Sequence, residues 1–176
     1  MKMFGRVKRN WVVPADQEPT EMDKKVIAYQ NKGILCPRRD MIRTPEQIEG
    51  IRRAGLLNTA VLDLVAANIR EGISTLALDD LIGEYTRSHG GICACLGYEG
   101  YPKNSCISVD DVVCHGIPSA NTILKKGDIV NVDCTTILDG YFADASRMFV
   151  IGGETTPEKQ RLVDVTKECL DLSFEV

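Results

Sequence analysis

The chain has 176 residues, 44% of them hydrophobic and 26% charged, with a formal net charge of −4. That is the makeup of a globular protein with one principal core, and it excludes a disordered or fibrous chain and two unrelated domains. No apolar run approaches the ~18 residues that a bilayer span needs, so no membrane association is expected.

Residues 1–43 carry ten Lys or Arg against five Asp or Glu, a local charge of +5 that leaves −9 for the remainder. A basic arm on an acidic body suits contact with a polyanion such as ribosomal RNA, and a solvated linker is the plainer alternative. Pro14, Pro19 and Pro37 interrupt this stretch, which reads as a basic N-terminal extension with a short helix over Met22–Tyr29. Residues 44–176 read as the structured domain. Thr44-Pro45-Glu46-Gln47 supplies a capping hydroxyl, a proline at the first helical position and a side chain that can reach back. A helix is expected to about Ile69, with Ile48, Ile51, Leu57, Val61, Val65 and Ile69 at helical spacing and Gly72 beyond its end. Ser74 or Thr75 caps a second helix, whose apolar positions are Leu78, Leu81, Ile82 and Tyr85 and which His89-Gly90-Gly91 ends.

Short runs rich in β-branched or aromatic residues follow, punctuated by glycine, proline and aspartate. Ala94–Tyr98, Ser105–Val109, Val112–His115, Asp128–Leu138 and Tyr141–Ile151 read as strands of an antiparallel sheet. Thr156-Pro157-Glu158 starts a last helix with Leu162, Val165, Cys169 and Leu172 on one face. Seven cysteines, an odd number with no secretory leader ahead of them, read as reduced thiols in a cytoplasmic protein. Cys93 and Cys95 stand one residue apart with no second pair at CxxC spacing, which argues against a structural zinc site.

The segment from Val130 to Phe149 carries the chemistry. Two strand-prone runs meet at Asp139-Gly140, the strongest short-range hairpin signal. With those two residues as the turn, Leu138 faces Tyr141, Thr135 faces Asp144 and Asp133 faces Ser146. Asp133 and Asp144 then become diagonal neighbours on one face, ~7–8 Å apart at the backbone. Two carboxylates converging there repel, and a divalent cation between them is the simplest compensation. The competing reading is a wet face with Asp133, Thr135, Asp144 and Ser146 as its polar stripe.

Three strings surround the pair: Cys95-Leu96-Gly97-Tyr98-Glu99-Gly100-Tyr101-Pro102-Lys103, Val112-Val113-Cys114-His115-Gly116-Ile117-Pro118, and Gly127-Asp128-Ile129-Val130-Asn131-Val132-Asp133. In order and spacing the chain resembles the type I methionine aminopeptidases from about Thr44 onward, and residues 1–43 lie outside the resemblance. The likeness implies an α+β pita-bread fold, here its first half only, with an antiparallel sheet and covering helices. It also implies a site for two divalent metal ions (Co, Mn, Fe or Zn), with Asp133 chelating one ion and Asp144 bridging both. The family completes that site with a histidine and two glutamates later in its chain, positions this sequence does not contain. By the same resemblance His115 contacts the scissile peptide group, while Cys95, Tyr98, Tyr101 and Cys106 line the pocket for the methionine side chain. The implied reaction is removal of the N-terminal methionine from nascent proteins in the cytoplasm, with this chain an incomplete and inactive portion, and no DNA contact. A proline-directed peptidase of the same fold and a non-catalytic binding module are the alternatives.

Overall fold

The computed structural model describes residues 11–175, which divide between Pro45 and Glu46 into two compact units. In the first unit, helix α1 (Glu21–Asn31) covers the short helix expected from the sequence. Thr20 caps it through a reciprocal box with Asp23, whose side chain accepts from the Thr20 amide at 2.8 Å and the Thr20 hydroxyl at 2.7 Å. The same carboxylate accepts from the Trp11 indole N–H at 2.7 Å and from Arg39 Nε at 2.9 Å, and it is only 1% exposed. A buried charge survives when every lone pair has a donor. Those donors, the Thr20 hydroxyl foremost and then the Arg39 guanidinium, hold the Asp23 carboxyl well below the usual carboxylate range. The described part of the basic extension is therefore organised around one satisfied aspartate, a feature its lack of periodicity did not reveal.

The second unit is built on α2 (Pro45–Asn68) and α3 (Thr75–Ser88), both close to their expected limits. The Ser74 hydroxyl caps α3 by accepting from the Ala77 amide. A four-stranded antiparallel sheet follows, made of β1 (Ile92–Cys93), β2 (Cys106–Val109), β3 (Ile129–Leu138) and β4 (Tyr141–Val150). β3 is its axis. β4 pairs with β3 along its whole length, and β1 and β2 pair with successive parts of the opposite edge. The chain ends in α4 (Pro157–Ser173), capped by the Thr156 hydroxyl.

The core lies between the two long helices and one face of the sheet. Val61, Leu62 and Val65 of α2 and Leu78 and Ile82 of α3 pack against Ile107, Val130, Val132 and Cys134. This is the alternation expected of a half-solvated antiparallel sheet, since positions 130, 132, 134 and 136 of β3 are buried and those between them only partly so. Two polar ties fix the layers. The Thr136 hydroxyl donates to Asn58 Oδ1 at 2.8 Å, and Arg147 reaches Asp63 at 2.9 Å.

Two expected strands do not form. Beyond Cys93, the stretch Ala94–Tyr98 adds a single rung, the Ala94 amide to the Thr135 carbonyl, and then turns. Gly97, Glu99 and Gly100 all adopt positive φ (85°, 48° and 85°), which no extended strand accommodates. Val112–His115 is likewise a loop. Asp110 at φ 52° reverses the chain, the Val112 amide closes a turn by donating to the Val109 carbonyl at 3.1 Å, and the β-branched Val112 and Val113 are 44% and 94% exposed. The last helix forms as expected, yet none of its residues is buried, and Leu162, Val165 and Leu172 are 58%, 45% and 53% exposed.

Candidate metal and peptide site

The β3–β4 register sets the carboxylates. Asp139 and Gly140, at φ 51° and 80°, form the two-residue turn, with Leu138 opposite Tyr141, Thr135 opposite Asp144 and Asp133 opposite Ser146. Asp133 and Asp144 therefore share the face of the hairpin turned away from the core. Asp133 is half-buried and Asp144 exposed. Burial, and then the Asp144 charge, push the Asp133 carboxyl up, with His115 opposing them. Two hard oxygen donors held together on a partly shielded face fit a divalent cation. Among the described residues no group of three or more His, Cys, Asp or Glu side chains is placed to hold a metal, so no third such side chain joins Asp133 and Asp144.

The second part of the site is a cavity of about 470 Å³. All five residues singled out in the sequence for substrate contact line it: Cys95, Tyr98, Tyr101, Cys106 and His115. Glu99, Gly100, Pro102 and Ile117 complete the wall, and of these the sequence reading had assigned none a role. Cys106 joins the cavity to the carboxylates, because it pairs with Asp133 across β2 and β3 and so shares its face.

Backbone contacts position this wall. The Tyr101 hydroxyl lies 3.0 Å from the Ser105 carbonyl and 3.1 Å from that of Gly116, locking the 98–102 turn onto the segment that carries His115. Burial pushes both the Tyr101 phenol and the Cys106 thiol up, so both stay protonated at neutral pH. Gly116 lies against β2: its amide donates to the Ser108 hydroxyl at 3.1 Å and its carbonyl accepts from the Ile107 amide at 2.9 Å. His115 is consequently held at φ 55°, an uncommon conformation for a residue with a side chain, and is exposed toward the cavity it lines. Asp79, which the sequence reading passed over, anchors the start of β2 from α3. It is 1% exposed and accepts from the Ser105 amide at 2.8 Å and the Ser105 hydroxyl at 2.7 Å. Its only sequence signal is an acidic residue amid the apolar stripe of α3.

Residues 49–176 match the Metallopeptidase family M24. The chain belongs to that family. Methionine aminopeptidase A of Synechocystis is 48% identical to it over 129 residues, 73% of this chain and 51% of that protein. The Escherichia coli methionine aminopeptidase is 45% identical over 136 residues, 77% and 51% of the two chains. The crystal structure of methionine aminopeptidase from Rickettsia prowazekii aligns with a TM-score of 0.69 at 41% identity, covering 72% of this chain and 50% of that one. The M24 chain described here thus spans about half the length of the curated relatives it matches. Prolidase from Pyrococcus furiosus, at 17% identity and a TM-score of 0.62, shares the fold. The α+β pita-bread architecture expected from the sequence is the one these M24 proteins have in common. Among the described residues no helix is long and apolar enough to cross a membrane.

Proposed function

We propose that this chain provides the amino-terminal part of a cytoplasmic methionine aminopeptidase, which removes the initiating methionine from nascent proteins. The observation that carries the reading is the meeting of a two-carboxylate hairpin face with a cavity lined by sulfur and aromatic groups, joined through the Asp133–Cys106 pair. Asp133 would chelate one divalent ion and Asp144 would bridge two, the ions being Co, Mn, Fe or Zn. Such ions, when bound, supply the activated water for peptide hydrolysis. His115 would hydrogen-bond the scissile peptide group and favour the charge that develops on its oxygen. Cys95, Tyr98, Tyr101 and Cys106 would hold the thioether, for which soft sulfur and ring edges are suitable partners. The 45–48% identity to proteins named for methionine supports this over a proline-directed reading, since a prolidase and an aminopeptidase P share only the fold, at 17% and 20% identity.

The test separates binding from turnover in the 176-residue chain. Burying a methionine side chain is worth ~1.5–3 kcal/mol, so Met-Ala-Ser should bind at least about tenfold more tightly than Ala-Ala-Ser in calorimetry. Equal affinities would remove the pocket assignment. With two of the family's metal donors present, no methionine release is expected, and turnover lost on Asp144→Asn would refute the view that this portion is inactive. The charge of residues 1–43 further supports an approach to ribosomal RNA. Deleting them should abolish salt-sensitive ribosome co-sedimentation, and unchanged co-sedimentation would exclude that contact.

A further inference from the structure

One polar contact on the carboxylate face has no role in the reading above. The Thr135 hydroxyl donates to Asp144 Oδ1 at 2.8 Å, directly across the β3–β4 ladder. Asp144 is exposed and Thr135 half-buried, so water could satisfy both groups and burial does not demand the bond. Its effect is instead geometric: it restrains an aspartate side chain that would otherwise turn freely on an edge strand. The second carboxylate behaves differently, for among the described residues no hydrogen bond reaches the Asp133 side chain, which is steadied by burial between β2 and β4.

We propose that Thr135 is a positioning residue for Asp144, fixing one carboxylate oxygen so that the other is presented to a divalent cation shared with Asp133. The proposal rests on the metal-binding reading of the hairpin and deepens it. Groups that orient metal ligands typically change metal affinity by about 10- to 100-fold, which puts the contact within reach of measurement. A competing account is available: threonine is a good strand former, and an exposed hydroxyl opposite an aspartate could pair with it without consequence. The two accounts part on substitution. Thr135→Val keeps the branched shape and the strand preference and removes only the hydroxyl, whereas Thr135→Ser keeps the hydroxyl and gives up the branch.

The experiment titrates Mn²⁺ into the 176-residue chain by calorimetry and records the visible absorption of the Co²⁺-loaded chain, for wild type, Thr135→Val, Thr135→Ser and Asp144→Asn. Thr135→Val should weaken Mn²⁺ binding about tenfold and alter the Co²⁺ band, while Thr135→Ser stays within about twofold of wild type. A purely structural role would predict the reverse order, with Thr135→Ser the more damaging through lost strand preference and the Co²⁺ band unmoved in both. If Asp144→Asn weakens binding and Thr135→Val does not, the Thr135 assignment fails alone. If Asp144→Asn has no effect, or wild type binds no Mn²⁺, the metal reading fails and takes this proposal with it. Circular dichroism accompanies each variant. Should Thr135→Val lose the native spectrum, Thr135→Ala against Thr135→Ser decides by the same criterion.

Discussion

Replacing Asp79 with alanine is expected to destabilise the second unit by about 3 kcal/mol or more, because it strands several buried donors at once. The carboxylate accepts from the Ser105 amide and hydroxyl at 2.8 and 2.7 Å and from the Asn104 side-chain amide at 2.9 Å, with Ser105 itself 0% exposed. Each donor left without a partner costs ~1–3 kcal/mol, and a methyl group offers none of them a substitute. For a chain of this size the melting temperature should fall by about 6–12 °C, read by circular dichroism. The pocket should suffer as well, since Asp79 fixes the residues leading into β2, and β2 carries Cys106 and receives Gly116. A fall of less than about 2 °C would mean that water replaces the carboxylate, and that α3 does not hold this strand in place.

Gly116→Ala should be nearly as damaging, for a steric reason. A Cβ at this position would run into the Ile107 carbonyl and crowd the Ser108 Cα, both of them β2 backbone that cannot swing aside. Overpacking of this kind costs ~1–3 kcal/mol. The larger effect should be on the site: to admit the methyl group the 115–117 segment must lift from β2, breaking the Gly116 carbonyl's contacts with the Ile107 amide and the Tyr101 hydroxyl together. Loss of measurable Met-Ala-Ser binding is the expected outcome. Gly55→Ala provides the control, since an added Cβ there meets nothing within 4 Å and the residue lies inside α2. That change should be neutral or stabilising by up to ~1 kcal/mol. If both variants bind peptide like wild type, the close approach of Gly116 to β2 is not what shapes the cavity.

The comparison of these two sites with the hairpin explains what could be read from the sequence. The β3–β4 pairing was legible to the residue because Asp139-Gly140 fixes a two-residue turn, and that turn dictates every opposite pair along both strands. The helices were legible from apolar spacing and from capping hydroxyls at Ser74 and Thr156. The loops on either side of β2 were not. Val112 and Val113 carry strand preference, but Asp110 and His115 at positive φ leave them in a connection that only long-range contacts define. The grip of Tyr101 on two carbonyls and of Asp79 on Ser105 spans residues distant in sequence, and nothing periodic announces either. Cys95, Tyr98, Tyr101, Cys106 and His115, which the family resemblance groups, line one cavity, whereas pattern alone reads the two cysteines and two tyrosines as core.

The two-residue reversal at Asp139-Gly140 also bears on the order in which the molecule comes together. Hairpins close in ~1–10 μs, and the loop-closure cost of so tight a connection is small. Asp133 and Asp144 can therefore meet while the rest of the polypeptide is still searching, whereas the His115 segment must wait for β2 to find β3 and for Asp79 to capture Ser105. Rapid mixing should accordingly find the acidic pair assembled first and the cavity wall closing over it last, with early cation capture accelerating the later phase.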